Sequence, residues 1–284
     1  MKKILITGRD GQVGWELQRT LAPLGEVVAL DRKALDLANA DAIRTTLRAV
    51  NPDIIVNAAA YTAVDQAEKE VDLAMAINGR APGLMAEEAK KSGALLVHYS
   101  TDYVFDGSGD AAFSEATPTG PLNVYGRSKL AGEQAIQAIG GRYLILRTSW
   151  VYGLRGKNFL NTMLRLAQER EELRVVADQI GAPTWSRLIA GATALALARS
   201  NPCEGLYHLT SGEATSWHGF TAAILELTRD QRTKEPLLTG IPATDYPLPA
   251  ERPSNSRLSC TKLKNDAGIA LPHWRDALAL CLAQ

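Results

Sequence analysis

Along this chain, short apolar runs alternate with longer stretches in which apolar residues recur at every third or fourth position. The runs cover Ile4 to Thr7, Val27 to Asp31, Ile54 to Asn57, Leu95 to Ser100 and Leu144 to Thr148. Between them, Val13 to Leu24, Asp41 to Val50, Leu73 to Ser92 and Gly126 to Ile139 carry the helical period and mostly end near Gly, Pro or Asn. The alternation predicts repeated βαβ units, hence an α/β fold: a doubly wound parallel sheet with helices on both faces. From about residue 150 the pattern loosens, and prolines crowd "PLLTGIPATDYPLPAERP" at 236–253, a stretch expected to hold no regular element. The expected division is therefore a first domain over 1–150, joined by about 186–210, and a smaller, less regular lobe from 151–185 and 211–284.

Composition removes several function classes. Among 284 residues, 31 basic and 31 acidic side chains cancel, with no run of Lys or Arg, which argues against nucleic acid as a partner. The apolar stretch after Lys2 and Lys3 is too short for a signal peptide, and nothing later approaches a membrane span, so a cytoplasmic protein is expected. Cys203, Cys260 and Cys281 are odd in number and lack CxxC or His-rich spacing. They read as buried thiols rather than a disulfide framework, and no metal site is indicated.

The first candidate chemistry is "TGRDGQVG" at 7–14, placed where the first strand ends and the first helix begins. In that setting Gly8 permits a tight turn, Gly11 lets backbone amides approach a pyrophosphate, and Gly14 lets helix and strand pack closely. The helix N-terminus adds positive partial charge, so the loop reads as a dinucleotide cradle of Rossmann type. Asp31, about twenty residues on at the end of the second strand, is placed to bind the adenosine ribose hydroxyls, which suits NAD. Arg32 and Lys33 follow at once and suit the 2′-phosphate of NADP. NADPH and NADH both remain open as cofactors.

A second constellation supplies a proton donor. Tyr125 and Lys129 lie one helical turn apart in "YGRSK" and share a face. An ammonium beside a phenol lowers the phenol's pKa, so Tyr125 is expected to exchange a proton with a carbonyl near neutral pH. Lys129 also suits the nicotinamide ribose. The strand ending in "HYSTD" brings Ser100, Thr101 and Asp102 to the carboxyl edge, where open α/β sheets bind ligands. Thr101 is the candidate to hold a substrate oxygen, with Ser100 its rival should the register differ by one. The alternation around His98 suggests burial, so it reads as a core histidine rather than a base.

TGxxGxxG, a strand ending in Ser-Thr-Asp, and YxxxK together resemble the extended short-chain dehydrogenase/reductase family. The stretches "NPDIIVNAAAYTAVDQAE", "PLNVYGRSKLAGE", "RTSWVYG", "DQIGAPT" and "YPLPAERPSNSRL" narrow the resemblance to its dTDP-4-dehydrorhamnose reductase branch, nearly end to end. The resemblance implies NADPH- or NADH-dependent reduction of the 4-keto group of a dTDP-linked 6-deoxysugar, for bacterial surface polysaccharide. It implies Tyr125 as proton donor, Lys129 as its tuner and Thr101 as orienter of the ketone. It further places Gly11, Gln12 and Val13 on the pyrophosphate loop, Asp36 and Leu37 beside the adenine, Ala60, Tyr61 and Thr62 on the loop after the third strand, and Tyr99 on the cofactor side. Asp102 and Trp150 fall on substrate-contacting positions, and Arg252 on one facing the substrate diphosphate. Some members of the family are magnesium-bridged homodimers built on glutamates. Here only Glu16 matches, Arg187 stands where another acid is expected, and Asp276 is the sole acid from Trp274 to Gln284, so a tight Mg²⁺ bridge is doubtful and the oligomeric state, a homodimer included, stays open. Two alternatives are another sugar-nucleotide ketoreductase or epimerase and a non-catalytic regulatory homologue; the intact Thr101, Tyr125 and Lys129 argue against the latter.

Overall fold

A computed structural model describes residues 1–283; Gln284, the last residue of the expected second lobe, lies outside them. Six parallel strands form the main sheet in the order β2-β1-β3-β4-β5-β10: β1 (Lys2–Thr7), β2 (Gly25–Leu30), β3 (Ile54–Asn57), β4 (Leu95–Thr101), β5 (Tyr143–Thr148) and β10 (Gly205–His208). The period-2 alternation along β1 divides the core. Ile4 and Ile6 face α1 (Gln12–Thr20) and α8 (Ser186–Ala198), whereas Leu5 faces α2 (Ala40–Val50), α5 (Ala81–Ser92) and α6 (Val124–Ile139). Both faces are thus covered, as the doubly wound reading requires.

Two predicted helices are interrupted. The one expected over 13–24 stops at Thr20 and gives way to a 3₁₀ turn, Ala22–Leu24, that contains Pro23. The one expected over 73–92 is preceded by two short helices, α3 (Val64–Ala67) and α4 (Val71–Ala74), and then widens into a π-helical turn, Met75–Arg80, before α5. Pro82 explains the widening, since it has no N–H for the Asn78 carbonyl one turn earlier and its ring crowds that position. Gly132 of α6 accommodates the freed carbonyl: a Cβ there would sit 2.2 Å from Asn78 O.

A third cluster of the core gathers Tyr152, Leu160, Phe220, Trp274 and Leu278 from α7 (Phe159–Glu169), α9 (Trp217–Leu227) and α11 (Trp274–Leu282), with β6 (Val151–Tyr152) beside them. Small strands flank it: β7 (Glu172–Val176), β8 (Ile180–Gly181), β9 (Thr184–Trp185), β11 (Thr215–Ser216), β12 (Leu237–Ile241) and β13 (Asn255–Ser256), with α10 (Thr261–Ala267) near the end of the chain. β12 corrects the expectation for 236–253. Its five residues fit between Pro236 and Pro242, and because it pairs only with β7 it is an edge strand that tolerates prolines at its ends.

Candidate active site

The carboxyl ends of β1, β2, β3 and β4 open into a cleft of about 610 Å³. At its floor, Gly8 has φ +70°, and a Cβ there would lie 2.8 Å from the Ala59 backbone. Gly14 does not border the cleft; it lets α1 seat, since its Cβ would fall 2.1 Å from Gly8 O. Gly11 is the N-cap of α1, which has no side-chain cap and no acid in its first turn. The first amides of α1, with Gly11, Gln12 and Val13 on the cleft wall, are therefore available to an anion. Gln12 also reaches across the cleft, receiving Asn158 Nδ2 at 2.8 Å.

Asp31 and Arg32 border the cleft, and Lys33 does not. Asp31 Oδ1 accepts the Ala34 N–H at 2.8 Å, which holds its carboxyl below the ordinary range, and Arg9 stands 3.9 Å from its other oxygen. Asp36 and Leu37 form the adjoining wall, as do Ala60, Tyr61 and Thr62 opposite. That opposite loop is clamped by Asn78: its Oδ1 accepts Tyr61 N–H at 2.8 Å, and its Nδ2 donates to Tyr61 O and to Ser128 Oγ. The sequence reading missed Asn78, although a π-helical turn forced by Pro82 places it. Tyr99 borders the cleft with its hydroxyl paired to Thr193 Oγ1 at 2.7 Å, and burial pushes that phenol above its usual range.

Tyr125 and Lys129 both line the inner end. Asn123 caps their helix by accepting Gly126 N–H at 2.8 Å, and Glu68 accepts Val124 N–H at 2.7 Å. Close approach of this helix turn is bought with glycine, since a Cβ on Gly126 would meet Tyr103 O at 2.2 Å. Burial pushes the Tyr125 phenol up to about 12, with the Thr101 hydroxyl beside it pulling the other way. The expected depression toward neutrality is thus corrected. The Lys129 amine donates to Tyr99 O at 2.6 Å and lies 3.3 Å from His98 Nε2, and its own pKa is brought down to about 8 by burial. Burial thus favours the protonated phenol of Tyr125.

Thr101, Asp102, Trp150 and Arg252 do not border this cleft. Thr101 and Asp102 are buried at the end of β4, next to Tyr125. Trp150 sits at φ +47°, a strained backbone for a bulky residue, with its ring stacked on Trp217 at 3.5 Å. Arg252 is held by Asp65 through two bonds of 2.9 and 2.7 Å and donates to Ala250 O. Ser100 and Thr148 present cleft-side hydroxyls with no hydrogen-bond partner among the described residues. The glycine cradle, the uncapped α1 and these two orphaned hydroxyls fit a nicotinamide dinucleotide. No group of three or more His, Cys, Asp or Glu suited to a metal occurs among the described residues, and Glu16 is bonded by Arg187 at 3.2 Å. Nor is any described helix long and apolar enough to cross a membrane.

Comparison with known proteins gives a concordant picture. The family model described as RmlD substrate binding domain matches residues 1–284. A dTDP-4-dehydrorhamnose reductase of Burkholderia thailandensis is 51% identical, covering 99% of this chain and 98% of its own. One from Escherichia coli is 48% identical, covering 96% and 94%. The crystal structure of a dTDP-4-dehydrorhamnose reductase from Bacillus anthracis in complex with NADP superposes with a TM-score of 0.93 at 36% identity, covering 99% of each chain.

Proposed function

The chain belongs to the dTDP-4-dehydrorhamnose reductase family, and from that we infer that it reduces the 4-keto group of dTDP-4-dehydro-L-rhamnose to dTDP-L-rhamnose. NADPH or NADH supplies the hydride. The observation that carries the reading is Tyr125, half-buried beside Thr101 on the wall of a dinucleotide cleft with its phenol pKa raised.

Where the groups sit supports the following division of labour. Residues 1–150 with 186–210 hold the cofactor: Gly8, Gly11, Gln12, Val13 and the first turn of α1 take the pyrophosphate, with Gly14 seating that helix. Asp31 and Arg32 take the adenosine ribose and its substituent, Asp36 and Leu37 flank the adenine, and Ala60, Tyr61, Thr62 and Tyr99 complete the wall. Residues 151–185 and 211–284 hold the sugar nucleotide with Asp102, Trp150 and Arg252. Arg252 then exchanges part of its Asp65 pairing for the substrate diphosphate. Thr101 orients the ketone oxygen, and Tyr125 delivers the proton that turns the nascent alkoxide into an alcohol, a base strong enough to take it from a phenol of high pKa. Lys129 binds the nicotinamide ribose and resupplies the proton. The enzyme works in the cytoplasm, where nucleotide sugars and reduced dinucleotides are found, and its balanced charge supports the absence of a nucleic-acid partner.

The test is NAD(P)H oxidation with a panel of dTDP-4-ketosugars, followed by assignment of the product's C4 configuration. Turnover giving the L-rhamno product supports the reading; interconversion of C4 epimers without net cofactor oxidation replaces it with an epimerase.

A further inference from the structure

A buried chain of hydrogen bonds beneath α6 ends on the Lys129 amine. It starts at Thr7 Oγ1, which receives the Ala59 N–H at 3.3 Å and so has its own proton to give to Asn57 Oδ1 at 2.7 Å. That bond fixes which way the Asn57 amide faces. Its Nδ2, 3.0 Å from His98 Nδ1, has only protons to offer, so Nδ1 accepts. His98 is 1% exposed, and burial together with the Lys129 charge holds its ring pKa well below the ordinary value, so the ring is neutral. A neutral imidazole accepting at Nδ1 carries its one proton on Nε2, and Nε2 is the atom 3.3 Å from Lys129 Nζ. Strand parity produces this meeting, since His98 shares the face of Leu96, toward α6.

We infer that His98 is a positioning residue for the reduction: locked by Thr7 and Asn57 with its proton on Nε2, it aims a donor at Lys129 Nζ and readies that amine to release its proton. This rests on the reading that Lys129 serves Tyr125. The protons balance. Tyr125 loses its O–H proton to the ketone oxygen, the Lys129 ammonium returns one to the phenolate, and solvent recharges the amine. When Lys129 is a neutral amine, its lone pair is met by the His98 Nε2–H; when it is an ammonium, two donors face each other. His98 itself gains and loses nothing.

Burial lowers the Lys129 pKa, and none of the other groups facing it adds a donor toward Nζ as His98 does. From α6 itself come Tyr125 and Glu133, and the latter favours the charged ammonium. Arg147 of β5 already neutralises Glu133 through bonds of 2.9 and 2.6 Å. From β4 come His98 and the Tyr99 carbonyl, which accepts from the ammonium and the amine alike, with Asp102 further along at the strand end beside Tyr125. Asn57 of β3 and Asn78 of the π-helical turn are uncharged.

Two measurements decide it, both made without substrate. In ¹⁵N-histidine-labelled protein at neutral pH, the His98 ring should show a bare Nδ1 and a protonated Nε2; the opposite tautomer overturns the inference. In His98→Gln, whose amide can turn its oxygen toward Nζ, the Lys129 titration followed on a ¹³C-labelled ε-carbon should move up by about one pH unit. The alkaline limb of kcat should move with it, while KM for NADPH changes by less than about twofold. A fall in kcat at every pH with an unmoved limb and titration would mark His98 as merely structural. If His98→Gln does not fold, the wild-type tautomer alone decides. Failure of wild-type protein to reduce any dTDP-4-ketosugar would instead remove the underlying reading, and neither NMR result depends on it.

Discussion

The Thr101 hydroxyl donates to Asp102 Oδ1 across 2.9 Å, so the group expected to steer the ketone is itself steered by a buried carboxylate. Asp102 is 5% exposed, and burial pushes its pKa from 3.8 up to about 6 against the hydroxyls of Ser256 and Thr101, which pull it down. An acid whose folded pKa is raised contributes stability that is fully present below about pH 4 and is lost as pH rises through 6. Two units correspond to about 3 kcal/mol at most, in order of magnitude. Asp102→Asn should remove that slope: relative to wild type, its melting temperature should be more favourable at pH 8 than at pH 5. Turnover should fall at least about tenfold, because Thr101 loses a charged acceptor. A difference in melting temperature that does not vary with pH would show that Asp102 carries no such strain.

If Tyr125 is the proton donor of the proposed reaction, removing its hydroxyl removes the acid while Phe keeps the ring's shape. Tyr125→Phe should bind NADPH as wild type does and lose about 10²- to 10⁴-fold in kcat, the range for removing a general acid. Full activity in this variant would sink the assignment. Equal loss of cofactor binding would point to a packing role for the ring against Tyr103, whose centroid is 5.6 Å away.

Strand positions and the glycine loop were readable because strands buried on both faces are continuous apolar runs, and a turn at positive φ such as Gly8 selects glycine. The helix boundaries near 20 and 75 were not, since Pro23 and Pro82 sit inside otherwise unbroken helical periodicity and act through backbone geometry. His98 shows the limit most clearly. Alternation gave its burial correctly, but its partners Asn57 and Lys129 lie 41 and 31 residues away, across a strand pairing and a helix. The same holds for Arg252, whose pairing with Asp65 spans 187 residues. Asn78 carried no local signal of its clamp on Tyr61.

Discrimination between NADPH and NADH should rest on Arg32 alone of the two cations after β2. Arg32 borders the cleft and Lys33 does not, while Asp31 is kept ionised by the Ala34 N–H. Arg32→Ala should raise KM for NADPH by about tenfold, the loss of one charge-assisted bond, and leave KM for NADH nearly unchanged. Lys33→Ala should alter neither. Equal effects of Arg32→Ala on both cofactors would argue against contact with the 2′-phosphate.

Two glycines of the phosphate loop should fail in different ways when given a methyl group. At Gly14 a Cβ would fall 2.1 Å from Gly8 O, a backbone atom that cannot yield without moving α1 off β1. Such overpacking costs about 1–3 kcal/mol, so Gly14→Ala should melt several degrees lower even without cofactor. At Gly11 the Cβ would lie 3.3 Å from the same oxygen, and φ is −72°, a conformation alanine adopts freely. Gly11→Ala should therefore melt within about 2 °C of wild type. Its methyl group would stand where the backbone has to approach the pyrophosphate, so NADPH should bind at least about tenfold more weakly by calorimetry. If Gly11→Ala bound NADPH normally, the anion would have to sit elsewhere along the uncapped turn of α1. If both variants lost stability equally, Gly11 would be a packing glycine like Gly14.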